Sequence, residues 1–262
     1  MKKLLIILVA MWSCLQLDAQ TEFKGTPISE AINTEYDELM PRLSENGQVM
    51  YFVRAQHPGN VRGRGGGQDV WASRKGPDGE WQPAVNLGER INNGLHNFVG
   101  GIGENGDVLV LGNAYEEQLP GISRSRRQGE VWGSPETLVQ FPIDPAESGP
   151  AGFLSHFMSP DQSTLIVALT NGPQRDDLYV LHRLSEGGWS EPKLLGDIIN
   201  TGGVETAPFL ANDGKTLFFT SSGLNDHLGG GDIYVTERLD DTWINWSEPV
   251  NLGRTVNTPG FD

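Results

Sequence analysis

Cysteine is nearly missing from this 262-residue chain; its one copy, Cys14, stands close to the start. A lone cysteine excludes an internal disulfide and any cysteine-based zinc site. Positive charge is scarce too. Nineteen Lys and Arg face 34 Asp and Glu, for a formal net charge of −15. That balance argues against nucleic acid or an anionic membrane surface as the main partner, because both select a basic face. Beyond residue 20 no apolar run is long enough for a transmembrane helix. Glycine, by contrast, is abundant at 34 copies, beside 16 prolines. The chain is therefore turn-rich, while seven Trp and ten Phe supply bulk for a packed core. Its length suits one large domain or two small ones.

Residues 1–19 read as a secretory signal. Lys2 and Lys3 form a positive start, Leu4 to Met11 an apolar stretch too short to span a bilayer, and Leu17-Asp18-Ala19 a small-residue cleavage site. The expected mature chain begins at Gln20. The alternative is lipid attachment at Cys14, although Met11-Trp12-Ser13 fits that processing poorly. Either route exports the protein, to the periplasm or the outer membrane.

The rest repeats itself, and the repeat sets the fold expectation. The clearest copy runs from Ala207-Pro208-Phe209-Leu210 through the turn Asn212-Asp213-Gly214-Lys215 to Thr216-Leu217-Phe218-Phe219-Thr220-Ser221. Gly229-Gly230-Gly231-Asp232, Ile233-Tyr234-Val235, Trp246-Ser247-Glu248-Pro249, Val250-Asn251-Leu252-Gly253 and Val256-Asn257-Thr258 follow. The first copy matches it with the turn at Asn46-Gly47, then Gly65-Gly66-Gly67-Gln68-Asp69, Trp81-Gln82-Pro83 and Val85-Asn86-Leu87-Gly88. The third keeps Asp176-Asp177, Trp189-Ser190-Glu191-Pro192 and Leu195-Gly196. The second is worn, retaining Asn105-Gly106 and Trp132-Gly133-Ser134-Pro135; Gly121 replaces its Asp. The motif Trp recurs at 81, 132, 189 and 246, and a joining Asn at 33, 92, 200 and 257, with the third unit's equivalent blurred near Asp144.

No unit shows a helical apolar stripe. Short β-branched and aromatic runs bounded by Gly and Asp read as strands, and Asp-Gly or Asn-Gly pairs as tight turns. Four short strands in about 56 residues make a propeller blade. The expected fold is an all-β propeller of four four-stranded blades, at about 28–90, 91–143, 144–198 and 199–258. Residues 259–262 start a further unit. Two readings of the ring stay open: four blades closed by their terminal segments, with Thr21 to Thr34 as the staple, or part of a longer ring. The second is favoured, since Thr258-Pro259-Gly260-Phe261-Asp262 restarts the pattern.

Asp-Gly-Lys-x-Leu-Phe-Phe-x-Ser, Gly-Gly-Asp-Ile-Tyr-Val, Trp-Ser-x-Pro-x-Asn-Leu-Gly and Asn-Thr together resemble the WD-like, TolB-type propeller repeat of bacterial envelope proteins, over about residues 28–262. The resemblance implies a place in the envelope. Such repeats often precede an OmpA-like peptidoglycan-binding domain, which this sequence does not contain.

Each chemical candidate competes with a structural reading. Asp69, Asp177 and Asp232 recur before the third strand. They are either a ring of carboxylates able to hold a cation, or acceptors for backbone N–H groups in the preceding loop; the second is preferred, because repeat-defining residues mostly build the repeat. Gly47, Gly106 and Gly214 belong to turns. The Gly runs open no helix and lack a following Lys-Ser/Thr, so they are not phosphate loops. His57, His96, His156, His182 and His227 show no zinc spacing. Neither a Gly-x-Ser-x-Gly elbow nor a sialidase-type turn motif occurs. Arg62, Arg64 and the cluster Arg124, Arg126, Arg127 are the basic spots, read as solvated counter-charges or a docking patch for an acidic partner. Trp71, Trp81, Trp132, Trp189 and Trp246 read as packing between blades.

The expected role is non-catalytic binding or scaffolding in the envelope, without a cofactor. The partner is another envelope protein, or peptidoglycan through a neighbouring domain. The first alternative is a secreted propeller glycoside hydrolase or lyase, which needs paired carboxylates facing one funnel. The second is a calcium-stabilised adhesion module.

Overall fold

Among the described residues, valine, isoleucine and aromatic runs punctuated by glycine turns fold into strands, with a 3-10 turn at Gly63–Gly65. The computed structural model describes residues 27–65, 67–94, 96–103, 106–114, 119–141, 155–170 and 175–262. The signal segment, Cys14, Gly66, Asn105 and Asp144 lie outside them. No helix among the described residues is long and apolar enough to cross a membrane.

Four antiparallel sheets follow one another along the chain. The first holds β1 (Glu38–Leu43), β2 (Val49–Ala55), β3 (Gln68–Arg74) and β4 (Val85–Asn86) in that order. The second holds β5 (Val99–Gly103), β6 (Val108–Ala114), β7 (Leu119–Gln128) and β8 (Val131–Trp132), with β9 (Glu136–Gln140) also on β7. The third is β10 (His156–Met158), β11 (Thr164–Thr170), β12 (Asp176–His182) and β13 (Lys193–Leu194). The fourth is β14 (Glu205–Leu210), β15 (Thr216–Ser221), β16 (Asp232–Glu237) and β17 (Val250–Asn251). This is a four-bladed β-propeller.

The second blade departs from the expected four strands and has five. Elsewhere the motif Trp makes a single bridge, as in Lys75 with Trp81, Arg183 with Trp189 and Arg238 with Trp246. In the second blade that bridge has grown into β8, and β9 takes the outer position on β7. The other outer strands are only two residues long, which leaves little bare edge for another chain to pair with.

Burial explains why the second strands do not alternate. Val49 to Val53 are all buried, as are Val108 to Leu111 and Leu165 to Ala168, because the second and third blades pack between neighbours, and the first is covered by the second on one side and by Ile32 on the other. Tyr51, Val70, Leu109, Leu111 and Trp132 fill the first seam. Val110, Ile122, Leu165 and Val167 fill the second, and Ile166, Leu178, Phe219, Tyr234 and Trp246 the third. Each fully buried Leu, Val or Phe contributes about 1.5–3 kcal/mol. In β15 alternation returns: Leu217 and Phe219 are buried, whereas Phe218 is half-exposed. The far face of the fourth blade is thus less covered than its counterparts. The described part of the terminal segment does not staple that face. Ile32 packs on Met50, Phe52 and Trp71 of the first blade instead.

One device recurs before the first blade, between the third and fourth, and after the last. Thr34 donates its N–H and hydroxyl to the Glu38 carboxylate, at 3.1 and 2.6 Å. Thr201 does the same to Glu205 at 2.8 and 2.6 Å, and Thr258 to Asp262 at 2.7 and 2.9 Å. At Glu38 and Glu205 the accepting acid is itself the first residue of an inner strand.

Candidate functional site: the hub

The inner strands β1, β5, β10 and β14 surround a central cavity of 870 Å³, lined from all four blades. It opens toward the turns that join inner and second strands, with Ser44, Glu45, Ser159, Asp161 and Asn212 on its wall. These turns are built alike. Gly47, Gly106 and Gly214 take φ of 68°, 97° and 67°, the left-handed region that glycine enters without steric cost. In the third blade Gln162 takes φ 57° at the same point and carries that cost itself.

One layer of the hub draws one residue from each equivalent strand position: Arg42, Gly101, Phe157 and Phe209, all on the cavity wall. Phe157 and Phe209 meet edge to face at 5.4 Å. The Arg42 guanidinium lies over the Phe209 ring at 5.4 Å, so this contact joins the first blade to the last. Gly101 is where it is because a Cβ there would come within 2.6 Å of Met158 Cβ. Bulges aim the layer. The β1 ladder slips between Leu39 and Arg42, that of β5 between Val99 and Gly101, and that of β14 between Thr206 and Phe209. Met40 and Ala207, at φ 51° and 49°, hold the same strained conformation two residues before Arg42 and Phe209. Such bulges re-aim a side chain, and the strain persists only where surrounding structure enforces it.

Arg42 is the hub's unusual member. Its Nε is buried and meets no acceptor, and among the described residues no carboxylate pairs with it. Burial pushes its pKa down to about 10. Arg42 is not among the basic spots Arg62, Arg64, Arg124, Arg126 and Arg127 expected from the sequence. A signal was present: in the aligned units this position reads Arg, Gly, Phe, Phe, one charge among apolar residues.

Those expected basic spots are engaged otherwise. Arg62 donates to the Asn93 carbonyl and Arg64 to the Tyr36 hydroxyl. Arg127 pairs with Asp107 at 2.5 Å, and Arg124 stands 3.8 Å from Glu136.

The recurring Asp residues face their own loops. Asp69 accepts the Val61 N–H at 2.6 Å and the Asn86 amide at 2.8 Å. Asp232 accepts the N–H groups of Leu228 and Gly229 and the Asn251 amide, at 2.8, 3.2 and 2.8 Å. Burial opposes its ionisation, yet these donors together hold the Asp232 carboxyl below its ordinary range. In the third blade Leu194 replaces that Asn, and Asp177 pairs with Arg175 at 3.1 Å.

The joining Asn residues act as artificial peptide groups. Asn92 accepts the Val70 N–H and donates to the Val70 carbonyl, at 2.7 and 3.1 Å. Asn200 clamps Leu178 and Asn257 clamps Ile233 in the same way. Asn33 instead accepts the N–H groups of Ile28 and Ser29.

The motif tryptophans differ in burial. Trp132 and Trp246 are buried. Trp81 and Trp189 are partly exposed beneath Lys75 and Arg183, at 5.1 and 5.5 Å. Trp71 does not belong to that series; it sits in β3, donates to Asn60 at 3.0 Å and lies under Arg54 at 4.5 Å. His57 packs against Tyr36 and Trp71, and His227 meets the Leu224 carbonyl. Among the described residues no three His, Cys, Asp or Glu cluster to hold a metal.

No family model and no curated protein matches this chain. Solved structures do. One, a complex of BT0996 with RGII, superposes with a TM-score of 0.52 at 11% identity, covering 83% of this chain and 75% of that one. Another, described as a glycoside hydrolase, gives 0.49 at 11% identity, covering 88% and 77%. TolB from Acinetobacter baumannii gives 0.47 at 12% identity over 79% of this chain. The chain spans 42% of the length of that TolB and 19% of the tricorn protease, which it also matches. At these identities the likeness is one of fold: a β-propeller.

Proposed function

We propose that this protein is a non-catalytic binding or scaffolding propeller of the cell envelope, exported by its first 19 residues. The observation that carries the reading is the hub: four blades contribute strands and rigid turns to one open cavity. Loops held on a rigid frame make recognition surfaces. The TolB-type repeat pattern supports an envelope setting and protein partners, with peptidoglycan reached only through a neighbouring domain. The recurring Asp residues serve the blades in this reading, and binding falls to the hub and its rim.

A photo-crosslinking residue at Glu45 or Asn212, on the rim, and at Val85, on the outer edge, tests it in cells. Adducts with an envelope protein from the rim positions alone are expected. Adducts from Val85 alone, or turnover of a polysaccharide by the purified protein, would overturn it.

A further inference from the structure

We infer that the hub layer of Arg42, Phe157 and Phe209 is a binding site for a carboxylate carried on an apolar or ring-shaped body. The inference rests on reading the hub as the binding face. Three observations support it. First, Arg42 brings a full positive charge to a cavity wall where no carboxylate among the described residues pairs with it, and its Nε is buried without an acceptor. A half-buried charge without a counter-ion is costly, and a planar fork of N–H donors matches a carboxylate in two-point contact. Second, the repeat offers a cheaper residue at that position, since the third and fourth blades place Phe157 and Phe209 there. Third, a bulge with Met40 at φ 51° aims Arg42 at the hub, and Ala207 at φ 49° does the same for Phe209.

The neighbouring groups define the ligand. Phe157 and Phe209 form an apolar wall beside the guanidinium, which suits a ring face or a hydrophobic side chain next to the acid. The cavity, at 870 Å³, has room for a short oligomer rather than one small ion. The chain's net charge of −15 disfavours polyanions and leaves a singly charged acid as the better fit. That chemistry occurs in uronic acid residues of a polysaccharide and at the C-terminus of a peptide.

Calorimetric titration of the whole protein separates these sources. The probes are a disaccharide with one galacturonate residue against its methyl ester, a tetrapeptide ending in Phe against its C-terminal amide, and inorganic phosphate. Expected is binding of one acid at least tenfold tighter than its neutral form, with phosphate weaker still. R42M should erase that preference; the apolar residues at the equivalent positions indicate that the fold accepts it, and R42Q serves as a second variant. The acid that binds names the source. Equal binding of acid and neutral forms, an R42M protein that keeps the preference, or no binding of either acid at millimolar concentration would overturn the inference. Phosphate binding as tightly as the acid would remove the apolar part of the site. If rim crosslinks persist while every acid fails, the envelope-binding role stands and the carboxylate site falls.

Discussion

The side-chain amide of Asn251 donates to the Asp232 carboxylate at 2.8 Å, and 165 residues upstream Asn86 makes the same bond to Asp69 at the same distance. Each Asn also receives the joining Asn of its blade, Asn257 at 2.8 Å and Asn92 at 2.9 Å. An Asp–Asn–Asn relay therefore ties the loop before the third strand, the outer strand and the exit of the blade.

Asp232→Ala leaves the N–H groups of Leu228 and Gly229 and the Asn251 amide without their acceptor. Leaving such donors unsatisfied costs about 1–3 kcal/mol. Urea unfolding should show a loss of that order. Because the oxygens of Asp232 are occupied by N–H donors, calcium should leave the wild-type melting temperature where EDTA does. A clear rise with calcium would revive the adhesion-module reading.

Asn92→Ala and Asn200→Ala should each cost about 1–2 kcal/mol, since each orphans an N–H and a carbonyl in a buried strand. Asn33→Ala should cost far less, because it holds only the exposed turn at Ile28 and Ser29. Equal losses at all three would show that the peptide-like clamp is not what these residues contribute. Chemical denaturation of the three variants side by side decides it.

Trp246, at 1% exposure, fills the seam between the third and fourth blades. Trp246→Ala should destabilise by about 3–5 kcal/mol through the cavity it leaves. Trp189→Ala should cost less, because the ring is partly exposed and its contact with Arg183 is worth about 0.5–1 kcal/mol at such sites. Thermal melts of the two variants should rank accordingly.

The Asp213 carboxyl is held down to about 2, first by the Thr216 hydroxyl and then by the N–H groups of Thr216 and Lys215. Its folded value lies below the unfolded one. Its stabilising contribution is therefore present above the ordinary carboxylate range and disappears as pH falls through about 2. Carboxyl NMR titration should find Asp213 ionised down to that value in wild type, and protonating at higher pH, though still below the ordinary range, in Thr216→Val, which keeps the two N–H donors.

Local sequence suffices to specify the blades. Repeating turns at Gly47, Gly106 and Gly214, short strand runs and the recurring Asp and Asn act within one blade, so their spacing alone announces them. The lead-in loop of Thr34 and Glu38, repeated at Thr201 and Glu205, was legible in the same way and went unread. The hub, in contrast, exists only in three dimensions. Arg42, Gly101, Phe157 and Phe209 lie far apart in the chain and meet only because four inner strands converge on one axis. Two of those strands, β1 and β14, reach that meeting through bulges at Met40 and Ala207. A repeat unit encodes its own pairing through local chemistry; what its innermost side chains face is set by the other copies.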